Sequence, residues 1–409
     1  MVVVGAGVGG ARAAFALRER GWTGGVTLIG DEALLPYERP PLSKAAMTAE
    51  PGAGPAFVCD EPALVAAGIE CLPGTGAVRV HASERVVVLA NGRRLRYERL
   101  LLAVGARARA LSVRGGALAF SLRTYADALV IRRRLIPGTR VGVVRGGPIG
   151  LELAASAVAR GCVVTVIELA STLMSRAVPT DVAAIVAARH AEAGVRILTG
   201  TGVQRIATQH GALCIVLSNG ETLQVDVVIA AVGAVPATAL ADATGLTVDN
   251  GIRTDAQLRT SVPDIFAAGD CCSFPHPLYD GLRSRTEVWR NALDQAAHAT
   301  LNMLGANRDY QAIPWFWSDQ HDRGLQVAGR PDIAASVVVR KAANGSEVHF
   351  GLDGSGRLVS ASGVGRGSAV AKDVRLGEML IGQRAAPDAL ELSDATVNLK
   401  QLLRTPAAA

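Results

Sequence analysis

The sequence predicts an α/β fold: two doubly wound units, each on its own parallel sheet, followed by a separate α+β domain. Three observations predict it. A strand, a glycine-rich turn and a helix follow one another at the N terminus, the same order recurs from Val141, and two landmarks repeat at a fixed offset.

Val2, Val3 and Val4 form an apolar run that ends in Gly5-Ala6-Gly7-Val8-Gly9-Gly10, and helix formers continue from Ala11 to Arg20. Gly5 permits a tight turn, Gly7 lets backbone approach a pyrophosphate, and Gly10 lets the helix lie close against the strand. The phosphates then belong at the positive end of that helix. Val26 to Ile29 read as a second strand, and Asp31 follows Gly10 at roughly the 20-residue spacing that puts a carboxylate on a ribose hydroxyl. Next comes a stiff loop, Pro36-Tyr37-Glu38-Arg39-Pro40-Pro41-Leu42-Ser43-Lys44, where proline fixes the backbone and blocks helix until Pro41. It suits a chain segment lying against a flat ligand, with Arg39 and Lys44 as cations for phosphate or an electron-rich ring; the plainer reading is a solvated basic loop.

The repeat marks a duplicated unit. Asn91-Gly92, a hairpin signal, precedes Ala103-Val104-Gly105-Ala106, and Asn219-Gly220 precedes Ala231-Val232-Gly233-Ala234; both glycine pairs are offset by 128 residues (220 − 92 and 233 − 105). In the second unit the strand Val141 to Val144 runs into Arg145-Gly146-Gly147-Pro148-Ile149-Gly150 and a helical run to Arg160. Glu168 ends the next strand, 18 residues after Gly150 (168 − 150). Its carboxylate is placed to hold an adenosine ribose and to repel a 2′-phosphate, and no basic residue follows immediately, which favours NADH over NADPH. One position departs from the fingerprint: Arg145 stands where the first glycine belongs, and must adopt a turn that glycine adopts freely. Pro148 fits the first helical turn.

The stretch Asp264-Ile265-Phe266-Ala267-Ala268-Gly269-Asp270 returns the chain to the first unit and can aim a carboxylate at polyol hydroxyls. Glu287-Val288-Trp289-Arg290-Asn291-Ala292 opens a helix reaching Leu304, whose N-terminus suits a partial negative charge. Pro314-Trp315-Phe316-Trp317-Ser318-Asp319-Gln320 is either core or a wall beside a planar group, with core favoured for Trp315. Alternating segments and turns from 325 to 364 then read as an antiparallel sheet followed by helix.

Composition narrows the class. The 409 residues suit two to three domains. A net charge of +6 with scattered Lys and Arg and 4% aromatics gives no nucleic-acid stripe, and fits an acidic protein partner. No apolar run approaches a membrane span, and Met1 enters directly into a core strand, so neither a membrane helix nor a cleaved leader is expected. The six cysteines and seven histidines show no metal-ligand spacing, so no metal is expected and a reducing cytoplasm is; the adjacent Cys271 and Cys272 read as a loop detail.

Residues 5 to 44, 145 to 168, 264 to 295 and 314 to 320 together resemble the FAD-dependent, NADH-using ferredoxin reductases of bacterial Rieske-type dioxygenase and monooxygenase systems, within the glutathione-reductase-like superfamily; the biphenyl-dioxygenase type is nearest. The motifs that carry it are the PPLSK loop, Leu122-Arg123-Thr124, the AAGD strand and the PWFWSDQ segment. The resemblance implies two Rossmann-like domains and a C-terminal α+β domain, divided as 1–107 and 231–308 for FAD, 108–230 for NADH, and 309–409. It puts FAD on Gly5, Gly7, Gly9, Gly10, Asp31, Arg39, Lys44, Val78, Gly105, Arg123, Asp270, Val288 and Trp289, and NADH on Gly147, Gly150, Glu152, Glu168 and Gly233. Lys44, Glu152 and Trp317 would be the catalytic residues.

Where disulfide reductases of the superfamily carry CxxxxC, this chain has the Pro-rich loop, so the flavin must pass electrons to an external carrier. The resemblance implies an acidic [2Fe-2S] ferredoxin bound transiently, in aromatic-hydrocarbon catabolism, by a monomer or weak homo-oligomer. Two other readings remain open: an NADH oxidase or small-molecule (quinone or radical) reductase on the same scaffold, and a flavin-bearing interaction protein whose NADH site has decayed at Arg145.

Overall fold

The computed structural model describes residues 1–50, 52–209 and 211–403, which divide into two compact units. The first comprises 1–39, 54–107 and 234–312; the second comprises 40–53, 108–233 and 313–409.

In the first unit five short strands form a parallel sheet in the order Ile265–Ala267, Leu100–Leu102, Val2–Val4, Val26–Ile29, Ile69–Leu72. The Val, Ile and Leu runs are apolar on both faces because helices and further strands cover both, as parallel sheets require. Helices Val8–Glu19 and Trp289–Met303 lie against this sheet, and an antiparallel trio, Ala77–His81, Val86–Leu89 and Arg94–Arg96, branches from it before Leu100.

The second unit repeats the plan. Its parallel sheet runs Arg196–Leu198, Val163–Ile167, Arg140–Val144, Val227–Ala230, and its antiparallel trio is Val203–Gln209, Ala212–Leu217 and Thr222–Val225. The 128-residue offset is therefore structural. Gly92 and Gly220 turn their hairpins at φ +84° and +85°, and Asn91 and Asn219 each accept a backbone N–H two residues on, at 3.0 Å in both. Leu100 pairs with Val2 and Val228 with Gly142, so each repeat returns a strand beside the first strand of its own sheet. Gly105 and Gly233 then leave at φ +67° and +95°.

Residues 313–403 have a core of their own. Five antiparallel strands, Trp315–Gln320, Arg323–Gly329, Leu358–Arg366, Glu347–Leu352 and Ser336–Lys341 in spatial order, pack on helix Ala371–Gly382. Cys271 and Cys272 correct the sequence reading: both are fully buried, Cys272 opening the strand Cys272–His276, so they are core residues and not a loop detail.

In both dinucleotide units the third fingerprint glycine fixes the helix on the loop. A Cβ on Gly10 would stand 1.8 Å from the Gly5 carbonyl oxygen, and one on Gly150 would stand 2.2 Å from that of Arg145. Both obstacles are backbone and cannot swing aside. Gly10→Ala and Gly150→Ala are each expected to destabilise the fold by about 2–3 kcal/mol, the range of overpacking. Denaturant melts of the two variants, with an unchanged slope, would check it.

Candidate functional site

The first loop leaves room where a phosphate belongs. Helix Val8–Glu19 starts at Gly7 with no side-chain cap and no acid in its first turn, and nothing lies within 4 Å of where a Gly7 Cβ would be. Its first amide hydrogens therefore face an opening with no acid in their own turn to neutralise them. Helix Trp289–Met303 begins in the same way, uncapped at Val288 and without an early acid. The two helices touch near their starts: a Cβ on Gly9 would be 3.1 Å from the Ala292 carbonyl oxygen. Two positive helix ends thus converge in one unit, which fits a bound dinucleotide diphosphate.

Asp31 is exposed just beyond the second strand, and Val78 is exposed on its own strand, both open to a ligand. Asp270 lies in the turn Gly269–Cys271, whose Gly269 N–H donates to the buried Gln295 Oε1 at 2.8 Å. Gln295 Nε2 is buried with no partner among the described residues, an orphaned donor that a polyol or diphosphate beside this turn would satisfy. Arg39 is ion-paired with Glu32 at 2.7 Å, and Glu32 also takes the Tyr37 hydroxyl. Trp289 Nε1–H donates to Glu38, whose carboxyl burial pushes above the usual range against the opposing pull of that hydrogen bond.

The second loop carries the Arg145 question. Arg145 sits at φ +80°, in the left-handed region, where Gly5 sits at +110°. That is a conformation an L-residue adopts at a cost of about 1–3 kcal/mol. Past it the geometry repeats: helix Pro148–Ala159 starts uncapped at Gly147, nothing lies within 4 Å of a Gly147 Cβ, and Pro148 occupies the first turn. Gly233 is equally open. The buried Glu168 carboxylate accepts the Gly146 N–H at 2.9 Å and the Ala170 N–H at 2.8 Å. Each oxygen keeps a lone pair for a ribose hydroxyl. The residues of both loops therefore fit their dinucleotides.

Lys44, Glu152 and Trp317 come together in the second unit. Lys44 Nζ is 2.9 Å from Glu152 Oε1 and lies 5.7 Å from the centroid of the Trp317 ring. Glu152 is buried on helix Pro148–Ala159, and its other oxygen takes the Ser43 hydroxyl. Ser318 Oγ–H donates to Glu152 Oε1 at 2.6 Å. Trp317 stacks on Trp315, with centroids 5.6 Å apart, and Trp315 packs on the C-terminal core. Arg123 precedes Thr124, which caps helix Tyr125–Arg132, and Arg123 N–H donates to Asp127 at 3.1 Å.

The solvated-loop reading of 36–44 does not hold, since both cations are partly buried and paired. The two cations also belong to different units, Arg39 to the first and Lys44 to the second. Glu38, Ser43, Ser318 and Gln295 escaped the reading of the residues. Only Ser318 left a local signal, as a polar residue alternating within the aromatic strand. Among the described residues no cluster of His, Cys, Asp and Glu could hold a metal ion, and all six cysteines are free. Replacing Arg145 by Gly is expected to stabilise the second unit by about 1 kcal/mol, backbone relief exceeding the added freedom of the unfolded chain; thermal melts of R145G beside the parent read this directly.

Comparison with known proteins agrees with this geometry. Residues 1–296 match the family model described as pyridine nucleotide-disulphide oxidoreductase, and residues 315–403 match the reductase C-terminal model. The chain is 41% identical to the ferredoxin--NAD(+) reductase component of the anthranilate 1,2-dioxygenase system of Burkholderia cepacia, over 98% of each chain. It is 39% identical to putidaredoxin reductase of Pseudomonas putida, over 83% of this chain and 82% of that one. Among solved structures it resembles a ferredoxin reductase from Rhodopseudomonas palustris, with a TM-score of 0.92, 35% identity and 98% of each chain covered. It also resembles the reductase in a covalent putidaredoxin reductase–putidaredoxin complex, with a TM-score of 0.91, 35% identity, and 98% and 97% covered. The chain therefore belongs to the pyridine nucleotide-disulphide oxidoreductase family, in its FAD- and NADH-dependent ferredoxin–NAD(+) reductase group.

Proposed function

We propose that this chain passes electrons from NADH through FAD to an acidic [2Fe-2S] ferredoxin that serves an oxygenase. One observation carries the reading: two open, uncapped phosphate loops, one followed by Asp31 and the other by Glu168, in a chain whose six cysteines are all free. Bound FAD would supply the chemistry of taking an electron pair and returning single electrons. The protein's task is to bind, orient and select.

In this reading Gly5, Gly7, Gly9, Gly10 and Asp31 hold the FAD diphosphate and ribose, with Gly105, Val78, Asp270, Val288 and Trp289 around the remainder and Arg39 braced by Glu32. Gly147 and Gly233 leave space for NADH, and Gly150 seats the helix on the loop that would bind it. Glu168 is the selector, its carboxylate fixed by two backbone N–H groups so that it meets a ribose hydroxyl favourably and a 2′-phosphate unfavourably. Lys44, Glu152, Arg123 and Trp317 complete the set, with the Lys44 ammonium held in place by Glu152. No helix among the described residues is long and apolar enough to cross a membrane. A cytoplasmic chain, monomeric or weakly self-associating, is part of the same proposal.

An anaerobic titration followed by visible absorption tests the reductase half. NADH is expected to bleach the flavin and NADPH to bleach it poorly, with Glu168→Ala narrowing the preference about tenfold, or ~1.4 kcal/mol. A yellow protein that neither nucleotide bleaches would mean that Arg145 has closed the second site, leaving a flavin-bearing interaction protein. For the partner half, the net charge of +6 implies steering by exposed charge. The apparent KM for ferredoxin should rise several-fold between 20 and 300 mM salt, conditions that shorten the Debye length from ~20 to ~6 Å. A salt-independent KM, or turnover that follows oxygen or quinone and ignores ferredoxin, would remove that half.

A further inference from the structure

Behind the Lys44–Glu152 pair runs a row of hydrogen bonds that the proposed chemistry does not use. Ser318 Oγ, 2.6 Å from Glu152 Oε1, receives Gln320 Nε2 at 2.9 Å. Gln320 Oε1 is 2.9 Å from Nε2 of His190, and His190 Nδ1 is 3.2 Å from Nε2 of His321. His190 is fully buried near the end of helix Thr180–Glu192, and Gln320 and Ser318 share one face of the strand Trp315–Gln320.

The direction of this row follows from its ionic end. A carboxylate paired with Lys44 only accepts, so the Ser318 hydroxyl must give its proton to Glu152. Ser318 can then only accept from Gln320, which turns the amide's NH2 end toward the serine and its carbonyl toward His190. A carbonyl also only accepts, so His190 must carry its proton on Nε2. Its Nδ1 is then the acceptor for the His321 N–H. Every donor points toward Glu152.

Packing alone does not fix the amide. A small cavity lined by His190, Ser318, Gln320 and Arg323 lies beside it, and its two orientations fill the same space, so the hydrogen bonds to Ser318 and from His190 together hold the one that the ionic end dictates. Around the imidazole stand Arg189 on its own helix, and His321, Asp322 and Arg323 on the turn and strand packed against it. Burial, with His321 and Arg189 adding to it against the Gln320 bond, pushes the His190 imidazole down to about 4, so it stays neutral at ordinary pH.

We propose that His190 is a positioning residue for the reductase: through Gln320 and Ser318 it fixes the Glu152 carboxylate, and with it the Lys44 ammonium over Trp317. The proposal rests on the reductase reading for the roles of Glu152 and Lys44; the row itself does not.

Two measurements on the flavin-loaded protein separate these. Nitrogen-15 NMR of the histidine rings should show His190 as the Nε2–H tautomer from pH 8 down to pH 5. The opposite tautomer, or protonation within that range, overturns the row whether or not NADH reduces the protein. In steady-state NADH oxidation with ferricyanide, His190→Leu and Gln320→Glu should each lower kcat about tenfold with KM for NADH within twofold of the parent. His190→Gln, which keeps an N–H for the Gln320 carbonyl, should recover kcat to within threefold. Parental kcat in either disabling variant overturns the proposal, as does a glutamine variant no better than leucine; Gln320→Glu serves if His190→Leu does not fold. A parent that NADH cannot reduce would instead overturn the reductase reading, with the tautomer still deciding the row.

Discussion

The approach of a helix to the carbonyl that ends the preceding strand is the constraint on which both nucleotide units depend. At Gly10 and Gly150 the helix lies so close to its loop that a single added carbon would overlap a backbone oxygen. That closeness brings the first helical amides to the mouth of the sheet, beyond the carboxyl ends of the strands, where an α/β sheet takes its ligands. Asp31 and Glu168 follow at the ends of the next strands. In the first unit Gly9 extends the same device sideways, letting a second helix start in contact with the first. Glycine here serves proximity more than flexibility: Gly7, Gly9, Gly10, Gly147 and Gly150 all have ordinary negative or extended backbone, and only Gly5 needs a positive φ.

The acids are held in three different ways. Asp31 is exposed. Glu168 is buried and pinned by two backbone N–H groups, so its orientation belongs to the loop and not to a rotamer preference. Glu152 is buried and surrounded by side-chain donors, Ser43, Lys44 and Ser318. A buried carboxylate with this many donors stays put, because each broken bond would leave a polar group unsatisfied in a dry place. The price of such a site is that its order is collective, since no one of the three donors can move alone.

Most of the fold was legible because its signals are local. Apolar runs of four or five residues, Asn-Gly turns and the glycine spacing state their conformations within a few positions, and the 128-residue repeat then tied the two units together. The second unit was readable even through Arg145, since the strand, Gly147, Pro148 and Glu168 stand in order around it. What sequence reasoning missed were polar pairs made across long stretches of chain: Trp289 with Glu38, His190 with Gln320, Ser318 with Glu152. No period or motif encodes such partners, because they are chosen by the packing of elements that the local pattern does not relate. The adjacent cysteines were misread for the related reason that a Gly-Asp turn before them resembles a loop, while the strand that buries Cys272 is defined by its neighbours Ile252–Arg253 and Leu282–Ser284.

Residues 40–53 interrupt the first unit in sequence but belong to the second in space. Ser43 and Lys44 arrive from this excursion to meet Glu152, which lies more than a hundred positions on. The second unit is therefore not a module that can be excised as one continuous stretch. Cut at 108, it would keep the buried Glu152 and lose Lys44, the cation paired with it, a far larger penalty than the loss of a surface contact. Any circular permutant or separate expression of this unit would have to carry residues 40–53 with it, joined to 108–233 by a new linker.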